Sequence, residues 1–419
     1  LKRTLAFGGL VATAGLLAAG LSAPAQASGD VASKPLAATG INAKNIAALW
    51  FAENAANLIN ATPYNVETKV VAKHVSKGGP AADSKPGVVP AIGDEKKVVA
   101  KSKNVNLPKT TGKVFFADDF VWEKNERGHR FPKAVNPHWC TATSIQSTYK
   151  NLVATAGSCV YNTDDNKATL DNWVFIPGYY QGKMPWGIYV GKQAFTHYDY
   201  DVYEDADRNY AFVTVYNGLK MPHDGFSGIW DLIKAGKWDE LKSYAWFQEV
   251  DKATYMAYHD EDALPHYPKD GKYYVWKFQD AGALGANVGG QGLAYNQKVG
   301  KPVFVFGYPS GKHLDGNQAY SGKTLKWSYG KTFAVQAPAI KGEELVGTKS
   351  SFTGEGSIGS SWLVNYNNGR RLGYLNGVTI GVSDTDGNNR YDTSFSPYFD
   401  GELYGVYSAA KNLWSGSIA

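Results

Sequence analysis

From Gly112 onward the chain is a succession of short apolar runs, interrupted by Gly, Asn, Asp and Pro. "KVFFADDFVW", "NLVATA", "NWVFIPGYY", "YAFVTV", "KPVFVFGYP", "SWLVNY" and "LYGVYSAA" are the clearest of them. Their Val, Phe, Tyr and Trp suit a pleated, half-buried surface. Many short strands with turn signals between them predict an all-β sandwich or barrel. The texture changes only between Gly218 and Asp280. There "DLIKAGKWDELKSYAWFQEV" sets Leu232, Ile233, Trp238 and Leu241 at roughly helical spacing, which predicts a partly helical insertion over 218–279.

The N-terminal part reads differently. Lys2 and Arg3 precede the apolar run "LAFGGLVATAGLLAAGL", and Ala25-Gln26-Ala27 offers a small-residue cleavage site. That order predicts a secretory signal peptide over 1–27. No later stretch approaches the ~18 uninterrupted apolar residues of a membrane helix, so no membrane anchor is expected and the mature chain reads as secreted. Residues 28–111 contain one expected helix, where Ile46, Leu49, Trp50 and Ala56 recur near helical spacing. They then become a Gly-, Pro-, Ala- and Lys-rich stretch that reads as linker, either a pro-segment or a flexible tether.

Charge excludes one class of partner. Losing Lys2 and Arg3 with the leader lowers the net charge from +5 to about +3, too weak and scattered to argue for nucleic acid or anionic lipid. Two cysteines in an exported chain read as a disulfide by default, with a metal pair as the lesser reading.

Four segments, in order, carry a resemblance. "HWCTATSIQSTYKNLVATAGSCV" sets Cys140 nineteen residues before Cys159, within a frame similar to T-A-x-H-C. "DRNYAFVTV" is similar to D-Y-A-F-V, "GEGSIGSSWLV" to G-G-x-S-G-G-P-W, and "GYLNGV" with "SPYFDGELYGVYSA" to a substrate strand and C-terminal helix. Together they resemble the secreted bacterial trypsin-like serine peptidases over residues 112–419, the insertion apart. The resemblance implies a chymotrypsin-like double β-barrel with a C-terminal helix. It also implies a Cys140–Cys159 cystine, worth roughly 3 kcal/mol for a loop of this size in the chain-entropy model.

Matched residue by residue, the catalytic positions differ from that family. The base position holds Ser158, the aspartate position Asn209 and the nucleophile position Ile358. A serine hydroxyl needs an adjacent base to become a nucleophile. Neither Ser158 nor Asn209 accepts a proton near neutral pH, and Ile358 has no nucleophilic atom. Loss of such a triad leaves roughly 10³–10⁴-fold acceleration over water from binding and the oxyanion hole, here the backbone of Gly356 and Ile358. A β-branched side chain at 358 is expected to fill the scissile carbonyl's space. Ser328 and Ser351 stand where relatives carry a second cystine, and Phe352 stands where the specificity pocket is shaped.

The function this implies is a proteolytically inactive homologue that binds a protein or peptide ligand. One alternative is an active hydrolase with Ser357 as relocated nucleophile. Another is carbohydrate or cell-wall attachment through Trp230, Trp238, Trp246 and Trp276 in the insertion, since aromatic faces stack on sugars. His138 and His197, like Asp224, read as residues without catalytic duty, the latter two at the surface or in loops. No cofactor is expected. "DTDGNNRYD" clusters Asp384, Asp386, Asn388 and Asp392, which reads as a solvated Asx-rich turn or, alternatively, as a calcium loop. Its glycine is misplaced for an EF-hand, and Phe395 takes the place of the bidentate glutamate.

Overall fold

A computed structural model describes residues 30–419 except 65–71, 76–78, 94–103, 127, 129, 163–168, 221–231, 233–234, 238, 241–246 and 261–265. The expected signal peptide therefore lies outside the described residues. None of the described helices is long and apolar enough to cross a membrane.

Six antiparallel strands close the first barrel. Thr111–Phe116 pairs with His138–Ile145, which pairs with Leu152–Thr155. Ala211–Val215, Tyr189–His197 and Val174–Pro177 continue the circuit back to Thr111–Phe116. Alternation along each strand sorts the side chains into two layers. Val114, Phe116, Cys140 and Ala142 enter one buried cluster, while Phe115, Trp139, Val174 and Ile176 enter another. The second layer lies beneath the helix Gly40–Asn60, whose Trp50 and Phe51 are fully buried and whose path is interrupted at Ala52–Ala55.

The second barrel closes through one bent strand. Pro302–Gly307, Lys326–Ala337, Gly342–Lys349 and Thr393–Pro397 pair in turn. Gly381–Ser383 pairs with Thr393–Pro397, and Leu372–Val378, just upstream, pairs with Ser361–Asn367, which returns to Pro302–Gly307. Ile380 N–H donates to Phe395 O, so the chain crosses from one neighbour to the other without a gap. Full closure removes the exposed edges that an open sheet would leave. The all-β double barrel expected from the sequence is thus present.

The insertion carries a helix, but not on the stretch whose spacing suggested one: Ile233, Trp238 and Leu241 lie outside the described residues, and Phe247–Val250 is a strand. Gly218–Lys220 and Gln279–Gly282 pair at its base, and it carries a three-stranded sheet and the helix Lys252–Asp260. The C-terminal helix Gly401–Ala410 is capped by Asp400, whose Oδ1 accepts the Leu403 N–H at 3.0 Å. Its buried Leu403, Val406, Tyr407 and Ala410 form one apolar stripe.

The N-terminal segment, linker-like in composition, is bonded to both barrels wherever it is described. Val31–Pro35 adds to Gln193–His197, Thr62–Pro63 to His138–Trp139, Lys73–His74 to Val335–Gln336 and Gly87–Val89 to Leu293–Tyr295. Asp83 accepts the Gly401 N–H at the start of the C-terminal helix. Pairs of two to five residues need only backbone groups, which composition does not advertise.

Candidate functional site

Barrel register brings Ser158 and Asn209 together. Ala211 pairs with Thr155, so the residues flanking these two strands become neighbours. Beyond Thr155 the chain makes a single 3-10 turn, Gly157–Cys159, and Cys159 is bonded to Cys140 with the Cα atoms 6.2 Å apart. Asn209, just ahead of the other strand, accepts the Ser158 N–H on Oδ1 at 3.0 Å. Ser158 itself is 5% exposed.

Ile358, in a turn, is held by the strand that carries Cys140. Thr141 donates its N–H to Ile358 O at 2.9 Å and its hydroxyl to Gly356 O at 2.8 Å. Gly359, at φ +83°, closes the turn, and a Cβ there would come within 2.0 Å of Thr141 O. Only glycine satisfies both conditions. The Ile358 side chain is wholly buried, in the cluster that holds Cys140, Ala156 and Cys159. Ser357 is equally buried, and its hydroxyl donates to Thr353 O at 2.6 Å and Gly354 O at 3.0 Å. Geometry therefore assembles Ser158, Asn209 and Ile358 around one strand end, but no member is a base or a nucleophile.

A buried lysine lies behind this turn. Lys113 pairs with Thr141 across the strands and is 3% exposed. Its Nζ lies 3.2 Å from the Trp139 ring centroid, 4.5 Å from that of Tyr179 and 5.4 Å from that of Tyr308. Ring faces attract the ammonium, yet burial pushes the amine well below the usual lysine range. The Trp139 ring in turn packs on Gly356, where a Cβ would come within 2.3 Å of it. Sequence reading missed Lys113. Its only signal is a lysine inside an otherwise apolar strand.

Phe352 is 1% exposed and meets Tyr320 edge-on with centroids 5.7 Å apart, which makes it a core aromatic. Ser351 meets the Tyr320 hydroxyl at 2.8 Å, and Ser328 lies opposite Val305 in the sheet. His138 is bonded to Thr62 through Nδ1 at 2.9 Å, and burial lowers its pKa. His197 is not at the surface. It is 5% exposed, and its Nδ1 accepts the Asp199 N–H at the start of the short helix Tyr198–Tyr203. The burial follows from its place at the end of a central barrel strand. Asp224 lies outside the described residues, as do the side chains of Trp230, Trp238, Trp246 and Trp276.

In the acidic turn, Asp384 accepts N–H groups from Gly387, Asn388 and Asn389, while Asp386 accepts from Asn388. Asp392 turns away to Lys349 at 2.7 Å and to Thr385. Phe395 is a buried strand residue opposite Gly347 and Gly381. Among the described residues no group of three or more His, Cys, Asp or Glu could hold a metal ion.

No protein-family model and no curated protein matches the chain. Solved structures do. The fold is similar to that of the protease Anisep from Arthrobacter nicotinovorans, at 18% identity and a TM-score of 0.45, over 73% of this chain and 98% of that one. It is similar to the thermostable serine protease AL20 from an extremophilic microorganism, at 19% identity and 0.45, over 72% and 97%. A Glu endopeptidase in complex with MPD is similar at 14% identity and a TM-score of 0.41, over 76% of this chain and 98% of that one.

Proposed function

We propose that this chain is a secreted serine-peptidase homologue without proteolytic activity, serving as a binding module for an extended protein or peptide. The observation that carries the reading is the composition of the assembled site. Ser158 and Asn209 touch through a backbone amide, and Ile358 is buried beside the cystine. Acyl transfer at a serine needs a nucleophile, a base and a group orienting that base. None of the three residues supplies its part. The intact cystine accords with an oxidising, extracytoplasmic setting.

The test uses purified mature protein, casein, a fluorogenic peptide panel and a serine-directed phosphonate. Background turnover, no phosphonate labelling and retention of peptides on an array are expected. Turnover that the phosphonate abolishes would sink the proposal.

A further inference from the structure

The strand edge next to Ile358 is already in use. Along His138–Ile145, alternate residues present their backbone groups to the same side, roughly 6.6–6.8 Å apart. On that side Pro137 O accepts the Thr62 N–H at 2.9 Å, and Trp139 O accepts the Tyr64 N–H at 2.9 Å. The next position, Thr141, donates to Ile358 O. Thr62–Pro63 thus runs parallel to His138–Trp139 and stops one edge position short of the bond that holds Ile358.

Side chains reinforce the placement, Tyr64 packing against the rim of the first core. Thr62 Oγ1 lies 2.9 Å from His138 Nδ1, and the Tyr64 ring meets Phe116 edge-on with centroids 4.9 Å apart. Thr62 is exposed, and Pro63 and Tyr64 are only half-buried. Further along, the same segment is held by the other barrel. Ala72 N–H donates to Ser383 Oγ at 3.1 Å, and Val75 N–H donates to Ala334 O at 3.0 Å. The edge therefore accepts an extended chain through main-chain bonds, and the chain now on it belongs to the protein itself.

We infer, resting on the binding-module reading, that Thr62–Tyr64 is a removable strand filling in cis the edge on which a partner's extended peptide adds. Strand addition of this kind takes its affinity from main-chain hydrogen bonds. A tethered strand competes at an effective concentration on the order of millimolar, so it suppresses weak ligands and yields to strong ones. Only the Tyr64 ring packs against a core, at the rim beside Phe116, so release of the strand uncovers little apolar surface.

The test uses the full mature chain and a fluorescein-labelled mixture of random octapeptides, read by anisotropy. T62P/Y64P removes both N–H donors. T62A/Y64A keeps the donors but loses the hydroxyl and the ring. T62P/Y64P is expected to bind at least tenfold more tightly than the parent, with T62A/Y64A between them and melting temperatures little changed. In the parent, saturating peptide should speed hydrogen exchange at the Tyr64 amide at least tenfold. Equal binding by all three proteins, with the Tyr64 amide protected throughout, overturns the cis strand and leaves the binding module standing. No binding by any of them overturns both.

Discussion

The Ser158 amide donates to Asn209 Oδ1 at 3.0 Å across 51 residues of sequence. The contact joins a backbone donor to a neutral amide, so it fixes the turn without creating a base. Supplying a nucleophile alone therefore leaves the site without a proton acceptor. I358S is expected to stay at background turnover on a fluorogenic peptide panel, because a nucleophile without its base gains almost nothing. Turnover by I358S alone would place the nucleophile position correctly but the base elsewhere.

Ser357 is expected to have no catalytic role. Its hydroxyl is buried and committed to Thr353 O and Gly354 O. Ser357→Ala should lower stability by about 1 kcal/mol, the usual worth of such a bond. Fluorophosphonate labelling should be absent from parent and variant alike. Labelling of the parent that the substitution removes would restore the relocated-nucleophile reading.

Ile358 acts as core. Truncation to Ala deletes buried methyl groups in the cluster that also holds Cys140 and Cys159, and should cost about 2–5 kcal/mol. A denaturant melt with an unchanged m-value checks it. A loss well below that range would mean that the side chain faces an open groove.

Lys113 should destabilise the fold at neutral pH. Burial depresses its amine, so the folded state resists a proton that the unfolded chain keeps up to the ordinary lysine pKa of about 10.4. The resulting penalty is present at pH 7 and shrinks as pH rises through the alkaline range. Lys113→Met, similar in volume, is expected to raise the melting temperature at pH 7, with the gain narrowing toward pH 10. A gain that does not vary with pH would show that the amine titrates normally.

Asp207 has the opposite charge and a raised pKa. Burial lifts its carboxyl to about 6, although Glu343 and Glu344 donate backbone N–H groups to it. A raised carboxyl contributes stability that is fully present below the unfolded value near 3.9 and is lost as pH rises through about 6. Asp207→Asn should flatten the dependence of stability on pH between about 4 and 6, with NMR titration of the carboxyl as the direct check. An Asp207 that titrates below 4 would mean that its hydrogen bonds outweigh burial.

Legibility differed between residues for a physical reason. Short apolar runs and turn residues are local, so most of the barrel strands could be read directly from the sequence, although the run LYGVYSAA, grouped with them, lies in the helix Gly401–Ala410. The Cys140–Cys159 cystine was also legible, because the chain has only these two cysteines. His197 was misread as a surface residue, since its burial depends on what the barrel places over the strand end.

The sequence by itself determined the all-β character and the cystine partners. Only the tertiary structure decided that Ser158 rests on Asn209, that Lys113 lies among aromatic rings behind Gly356, and that Thr62–Tyr64 covers the edge beside Ile358. Each of these joins residues far apart in the chain through backbone bonds or ring faces. Any residue can supply a backbone bond, so no local pattern marks where it will form.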